Sequence, residues 1–173
     1  ENIHVLRATS NLIQGTDKDD LLVGTDGNDR IEGSADPLDR FEDGYDVLVG
    51  GRGDDVLIGG ANESAFGGYI RDIYRFDSGS GNDVIIGFTA VGSTGYGSPV
   101  VDRIEIIKNI NGSGIASAQD VLDRATSNAD GWVVLNLGSN NSVTLHGVEL
   151  SELDLENIHV LRATSNLIQG TDK

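Results

Sequence analysis

Along the first two thirds of the chain an apolar or aromatic residue recurs two places after an aspartate: Leu22 after Asp20, Ile31 after Asp29, Leu48 after Asp46, Leu57 after Asp55, Tyr74 after Asp72, Ile85 after Asp83 and Ile104 after Asp102. This column is the predicted core. The stretch GTDGNDRIE, residues 24 to 32, shows the unit: glycines that loosen the backbone, Asp26 and Asp29 that load it with charge, then Ile31 alone facing inward. It reads as a metal loop with a strand attached. From residue 115 the pattern changes. In IASAQDVLDRAT, Ile115, Val121, Leu122 and Ala125 fall near helical spacing, and Ser117 stands three residues before Asp120 as an N-cap, which predicts a short helix. WVVLNL and SVTLHGVEL then flank Gly138, Ser139, Asn140 and Asn141 and predict a β-hairpin, with Trp132 in its core.

Composition narrows the chemistry. The 173 residues suit one domain, and the formal net charge of -16 is carried unevenly: 20 of the 28 acids are Asp, and 14 of these lie between Asp17 and Asp83. A helical surface would favour Glu over Asp. Short carboxylates set among 24 glycines point instead to loops that hold hard cations through oxygen. Such a charge makes nucleic acid and anionic membranes poor partners. The absence of Cys rules out disulfides and thiolate metal sites. No apolar run approaches the roughly 20 residues of a membrane span, and no secretory signal is visible.

Residues 1–18, ENIHVLRATSNLIQGTDK, recur unchanged as residues 156–173, an offset of 155. This predicts one unit of a tandem array followed by the start of the next copy, with a duplicated capping segment as the alternative. The expected organisation is a leading strand from the repeat junction (1–14), a roll (15–106), a C-terminal cap (107–155) and the next repeat's first residues (156–173).

Within the unit a nine-residue period aligns on Gly-Gly-x-Gly-x-Asp-x-apolar-x: GTDKDDLLV at 15–23, GTDGNDRIE at 24–32, FEDGYDVLV at 41–49, GGRGDDVLI at 50–58 and SGSGNDVII at 78–86, with looser matches ending at DIYR (72–75) and DRIE (102–105). This pattern resembles the RTX calcium-binding nonapeptide repeat. The segment GWVVLNLGSNNSVTLHGVEL is similar to what commonly follows such repeats, and the size is similar to that of RTX modules beside alginate-modifying enzymes. The resemblance implies a mainly all-β fold: a right-handed parallel β-roll stapled by calcium, with a C-terminal cap holding a short helix and an antiparallel hairpin. Six-residue loops turn the chain, three-residue strands cross, and two nonapeptides complete one coil.

Calcium takes six to eight oxygens, more than one short loop supplies, so two stacked loops must share each ion through Asp carboxylates and glycine-exposed carbonyls. The candidate ligand positions are Gly15, Asp17 and Asp20; Gly24, Asp26 and Asp29; Asp43 and Asp46; Gly50, Arg52, Gly53 and Asp55; Asp72; and Gly79, Gly81 and Asp83. Loops numbered by their Asp fall on alternate edges. On the even edge, Asp29 with Asp55 and Asp55 with Asp83 are the leading pairs. On the odd edge the loops at 33–46, 59–72 and 87–102 are enlarged to 14, 14 and 16 residues. Insertions at loop tips are commonly tolerated. A functional alternative is a ligand surface presenting Arg40, Phe41, Tyr69, Arg71 and Tyr96.

No HExxH or nucleophile elbow supports an enzyme. The expected role is a calcium-dependent extender repeat of a secreted or cell-surface RTX adhesin, with neighbouring copies as partners and export by Gram-negative type I secretion. A polysaccharide-binding accessory module is the alternative. An ice-binding roll is disfavoured, because Thr16 and Thr25 lie on opposite edges and no later loop repeats them.

Overall fold

The computed structural model describes residues 3–4, 12–34, 44–60, 71–91 and 101–162. Each short polar loop delivers one short strand, in the order β1 (Ile3–His4), β2 (Leu12–Gln14), β3 (Leu21–Val23), β4 (Arg30–Glu32), β5 (Val47–Val49), β6 (Val56–Ile58), β7 (Ile73–Phe76), β8 (Asn82–Ile86) and β9 (Arg103–Ile107). Successive strands alternate between two sheets. Odd strands pair in parallel in one sheet, even strands β2, β4, β6 and β8 in the other. The fold is a parallel β-roll.

Two facing columns form its core. In the odd sheet Leu22, Leu48, Tyr74, Ile104 and Ile158 stand in register, and in the even sheet Ile13, Ile31, Leu57, Ile85 and Leu145 do so. All ten are buried. In a three-residue strand alternation lets only the middle residue point inward, as the burial pattern of β3 and β6 shows. One coil therefore buries about two apolar side chains by its own strands and gains its stability by stacking on its neighbours.

The C-terminal portion continues both sheets. A capping box, with Ser117 and Asp120 bonding each other's main chain, starts helix α1 (Ala118–Leu122). The helix begins directly after Ser117, as that cap predicts, and ends before the Ala125 position of the pattern: the chain leaves it at Asp123 and enters β10 (Thr126–Ser127), which pairs antiparallel with β11 (Val133–Gly138). The expected hairpin joins β11 to β12 (Asn141–His146), turning through Ser139 and Asn140 with φ of 49° and 61°. Two consecutive left-handed residues match the turn that suits strand twist. Strand β12 also pairs in parallel with β8, and β13 (Ile158–Leu161) with β9. Val133, Leu135, Leu137, Val143 and Leu145 join the same core cluster as Leu57 and Ile85.

Trp132 differs from expectation. It is half-buried, with its ring 3.9 Å from that of His146. Val133 and Leu135 take the inward positions, so alternation turns Trp132 outward. On the outer face of the odd sheet Arg75, Glu105 and His159 lie in register, with Arg75 Nη2 2.6 Å and His159 Nδ1 3.5 Å from Glu105.

Candidate metal sites between stacked loops

The six principal aspartates, together with Asp102, are buried, and all seven sit at the loop-to-strand junctions. Burying a charge is costly unless it is paired, so their contacts decide what they are for. On the even edge the Asp29 N–H donates to Asp55 Oδ1 at 2.8 Å, and the Asp55 N–H to Asp83 Oδ1 at 3.0 Å. The odd edge repeats the arrangement from Asp20 to Asp46, Asp72 and Asp102 at 2.9, 3.1 and 2.9 Å. Each carboxylate thus receives the main chain of the coil before it. A second ladder runs the other way one residue earlier: the Asp54 N–H donates to Asn28 Oδ1 at 3.0 Å, and the Asn82 N–H to Asp54 Oδ1 at 2.8 Å.

Glycine permits the close stacking. A Cβ on Gly24 would stand 1.9 Å from the Gly50 carbonyl oxygen, and one on Gly15 2.1 Å from that of Gly33. Gly53 and Gly81 have φ of 113° and 94°, where a side chain is strained in any case. Their missing Cβ atoms leave the carbonyl oxygens of Gly27 and Gly53 pressed between coils, at 2.7 and 2.0 Å from where those atoms would be. Gly50 gives the same room to Asp55 Oδ2.

On the even edge two carboxylates are incompletely satisfied. Asp55 Oδ2 and Asp83 Oδ2 are buried without a hydrogen-bond partner. Burial pushes the Asp55 carboxyl up to about 6; the Asp29 N–H opposes the shift and the Asp29 and Asp54 charges add to it. Burial likewise pushes Asp83 up to about 7; the Asp55 N–H and the nearby Ser80 hydroxyl oppose the shift, and the Asp55 and Asp54 charges add to it. A cation at these oxygens would remove the penalty that burial imposes.

Among the described residues no three His, Asp or Glu side chains converge. A metal here must draw on main-chain oxygen as well as carboxylate. That donor set fits calcium, which accepts carbonyls and carboxylates in flexible number, and lacks the imidazole and thiolate that zinc favours. Asp55, Asp83 and the Gly27 and Gly53 carbonyls are the residues that would hold it. Once bound, calcium supplies positive charge and a cross-link between coils.

The predicted positions fare differently. Asp20, Asp29, Asp46, Asp55, Asp72 and Asp83 lie in the buried ladders, and Gly15, Gly24, Gly50, Gly53 and Gly81 at close approaches of the backbone; Gly79 has φ of 86° with open space about it. Asp17, Asp26 and Arg52 expose their side chains, so only their main chain faces the stack; the Arg52 N–H donates to the Thr25 carbonyl at 3.0 Å. Asp43, Arg40, Phe41, Tyr69 and Tyr96 lie outside the described residues. Arg71 is half-buried and donates through Nε to the Val101 carbonyl at 2.9 Å, which ties two enlarged loops together.

Sequence reasoning missed the second ladder, although an Asn or Asp directly before Asp20, Asp29, Asp55 and Asp83 is its signal. It also missed Asn157. Fully buried, this residue donates to the Asp102 carbonyl at 3.0 Å and closes the odd edge.

The family model for the RTX calcium-binding nonapeptide repeat (4 copies) matches residues 8–36 and 42–63. No curated protein matches the sequence significantly. Among solved structures, the extracellular lipase LipA from Serratia marcescens is similar with a TM-score of 0.49 and 23% identity over 85% of this chain, which spans 20% of the lipase's length. A subunit of the Azotobacter vinelandii mannuronan C5-epimerase is similar with a TM-score of 0.43 and 22% identity, over 90% of this chain and 96% of that one.

Proposed function

With RTX calcium-binding nonapeptide repeats at residues 8–36 and 42–63, we propose that the chain is a calcium-stapled link in a long secreted or cell-surface protein of adhesin type, built from tandem copies of this unit. One observation carries the calcium reading: Asp55 and Asp83 are stacked and buried, each with an oxygen that has no partner. The recurrence of residues 1–18 at 156–173 supports the tandem arrangement. The role is structural. Before binding, like charges such as Asp54 and Asp55 repel one another by about 1 kcal/mol per close pair even in water. Where a site exists only in the folded state, binding free energy becomes folding free energy. A unit of this kind suits export in an unfolded state, such as type I secretion from a Gram-negative cell, because calcium at about 0.1–1 mM outside the cell is in the range extracellular modules bind.

The test is circular dichroism of the full chain in chelator and after adding calcium. The β signal is expected to collapse in chelator and return with calcium. An unchanged spectrum in chelator, with no heat of calcium binding, would refute the reading.

Confinement of the enlarged loops to one edge favours a second role, carbohydrate binding at Arg40, Phe41, Tyr69, Arg71 and Tyr96. Uronic-acid and neutral oligosaccharides titrated in calcium should then shift the amides of 33–46, 59–72 and 87–102. No shift at millimolar sugar leaves the link as the sole function.

A further inference from the structure

The four loops of standard length treat their buried aspartates in two different ways, and the residue at the second loop position separates them. In GTDKDD that residue is Thr16, whose N–H and hydroxyl both donate to Asp20 Oδ2, at 2.6 and 2.8 Å. In GTDGND it is Thr25, which donates to Asp29 Oδ2 in the same way at 2.6 and 2.9 Å. In GGRGDD and SGSGND it is Gly51 and Gly79, with φ of 100° and 86°. There Asp55 Oδ2 and Asp83 Oδ2 have no partner.

Stereochemistry explains the split. At φ near 100° the glycine peptide is rotated into a region threonine does not readily enter, and glycine has no hydroxyl to offer. Threonine keeps the ordinary conformation, so its two donors converge on one carboxylate oxygen. That oxygen has two lone pairs, and both are engaged. To ligate a cation through it, Asp20 or Asp29 would have to release two hydrogen bonds, each strengthened by the carboxylate charge. Asp55 and Asp83 would release none.

We propose that Thr16 and Thr25 close their own loops, so that calcium is taken through the free oxygens of Asp55 and Asp83 and not through Asp20 or Asp29. The second position of a standard-length loop is then a selectivity determinant that sets whether that loop takes an ion. The first coil holds its shape by hydrogen bonds within the loop, and the later coils by metal. This rests on the calcium reading of Asp55 and Asp83 given above.

The test counts ions bound to the full chain by equilibrium dialysis and calorimetry. Thr25→Gly should bind one more calcium than the parent, and Thr25→Ser, which keeps the hydroxyl, should bind the parental number. Asp29→Asn in the parent should leave the count unchanged, whereas Asp83→Asn should lower it by at least one. The Asn variants decide the matter if Thr25→Gly does not fold. Loss of an ion in Asp29→Asn, or no gain in a folded Thr25→Gly, would overturn the selectivity role while leaving calcium binding intact. A parent chain that binds no calcium would overturn both.

Discussion

Gly24 and Gly27 lie in the same hexapeptide, and a sequence pattern treats them alike, yet the structure gives them opposite tolerance. A Cβ at Gly24 would sit 1.9 Å from the Gly50 carbonyl oxygen and 2.9 Å from Asp29 Oδ2. The first obstacle is backbone of the next coil, which has no rotamer to change. Ordinary contact begins at 3.4 Å, so relief needs the coils to part locally by about 1.5 Å. The bond from the Gly24 N–H to the Val49 carbonyl, 2.8 Å, would then lengthen beyond hydrogen-bonding range. The Asp29 N–H bond to Asp55 lies in the same loop and would be strained with it. Each buried group left unsatisfied costs about 1–3 kcal/mol, so Gly24→Ala should destabilise the roll by roughly 3–5 kcal/mol. At Gly27 a Cβ meets nothing nearer than Thr25 Oγ1 at 3.7 Å, and its φ lies outside the left-handed range. Gly27→Ala should therefore stabilise by about 0.4–1 kcal/mol, through the lower entropy of the unfolded chain. Urea unfolding in saturating calcium measures both, with unchanged slope and shifted midpoint. Equal midpoints for the two variants, or a Gly24→Ala loss under about 0.5 kcal/mol, would refute the stacking argument on the same scale.

The core column predicts that Leu57→Ala costs about 2–5 kcal/mol, while Leu12→Ala, at a side chain 56% exposed, changes the urea midpoint little. Acid should act in opposite directions with and without metal. Asp55 and Asp83 are raised from 3.8 to about 6 and about 7, so the metal-free fold binds their protons more tightly than the unfolded chain does. That stabilisation is complete below the unfolded value and fades as pH rises through the folded ones. In chelator the residual β signal should accordingly be larger near pH 5 than near pH 8, whereas in calcium the melting temperature should be lower near pH 5, because protons displace the ion; the same direction in both media would contradict this. Trimming residues 166–173 should leave calcium stoichiometry unchanged in dialysis, since Asp55 and Asp83 lie outside the trimmed segment.

The roll was legible because its code is local and repeated. An Asp with an apolar residue two places on fixes both the turn and the inward position, and the same signal recurs seven times. The parallel pairing of coils follows from that period and needs no long-range information. The Asp29, Asp55 and Asp83 stack was readable for the same reason. What sequence could not convey was which oxygen of each carboxylate is engaged. That depends on whether the second loop residue holds φ near 100°, as Gly51 does, or offers two donors, as Thr25 does. Trp132 was misplaced because its size suggested burial, whereas the alternation set by Val133 and Leu135 turns it outward. The docking of β12 on β8 was hidden as well: a hairpin pattern shows that two strands meet, but not which third strand receives them.

The 26-residue separation of Asp29 and Asp55 has a mechanical meaning. Stacked strands are about 4.8 Å apart, so one complete turn advances the roll by only that much. Pulled straight, the same turn would span on the order of 86 Å. Folded, the unit is therefore a short, stiff spring with nearly twenty times its own length wound inside it. A chain of such units in a calcium-bearing medium would transmit a pull with little stretch. Should one unit yield, it would pay out slack and unload its neighbours, and the slack would be rewound when the ions return.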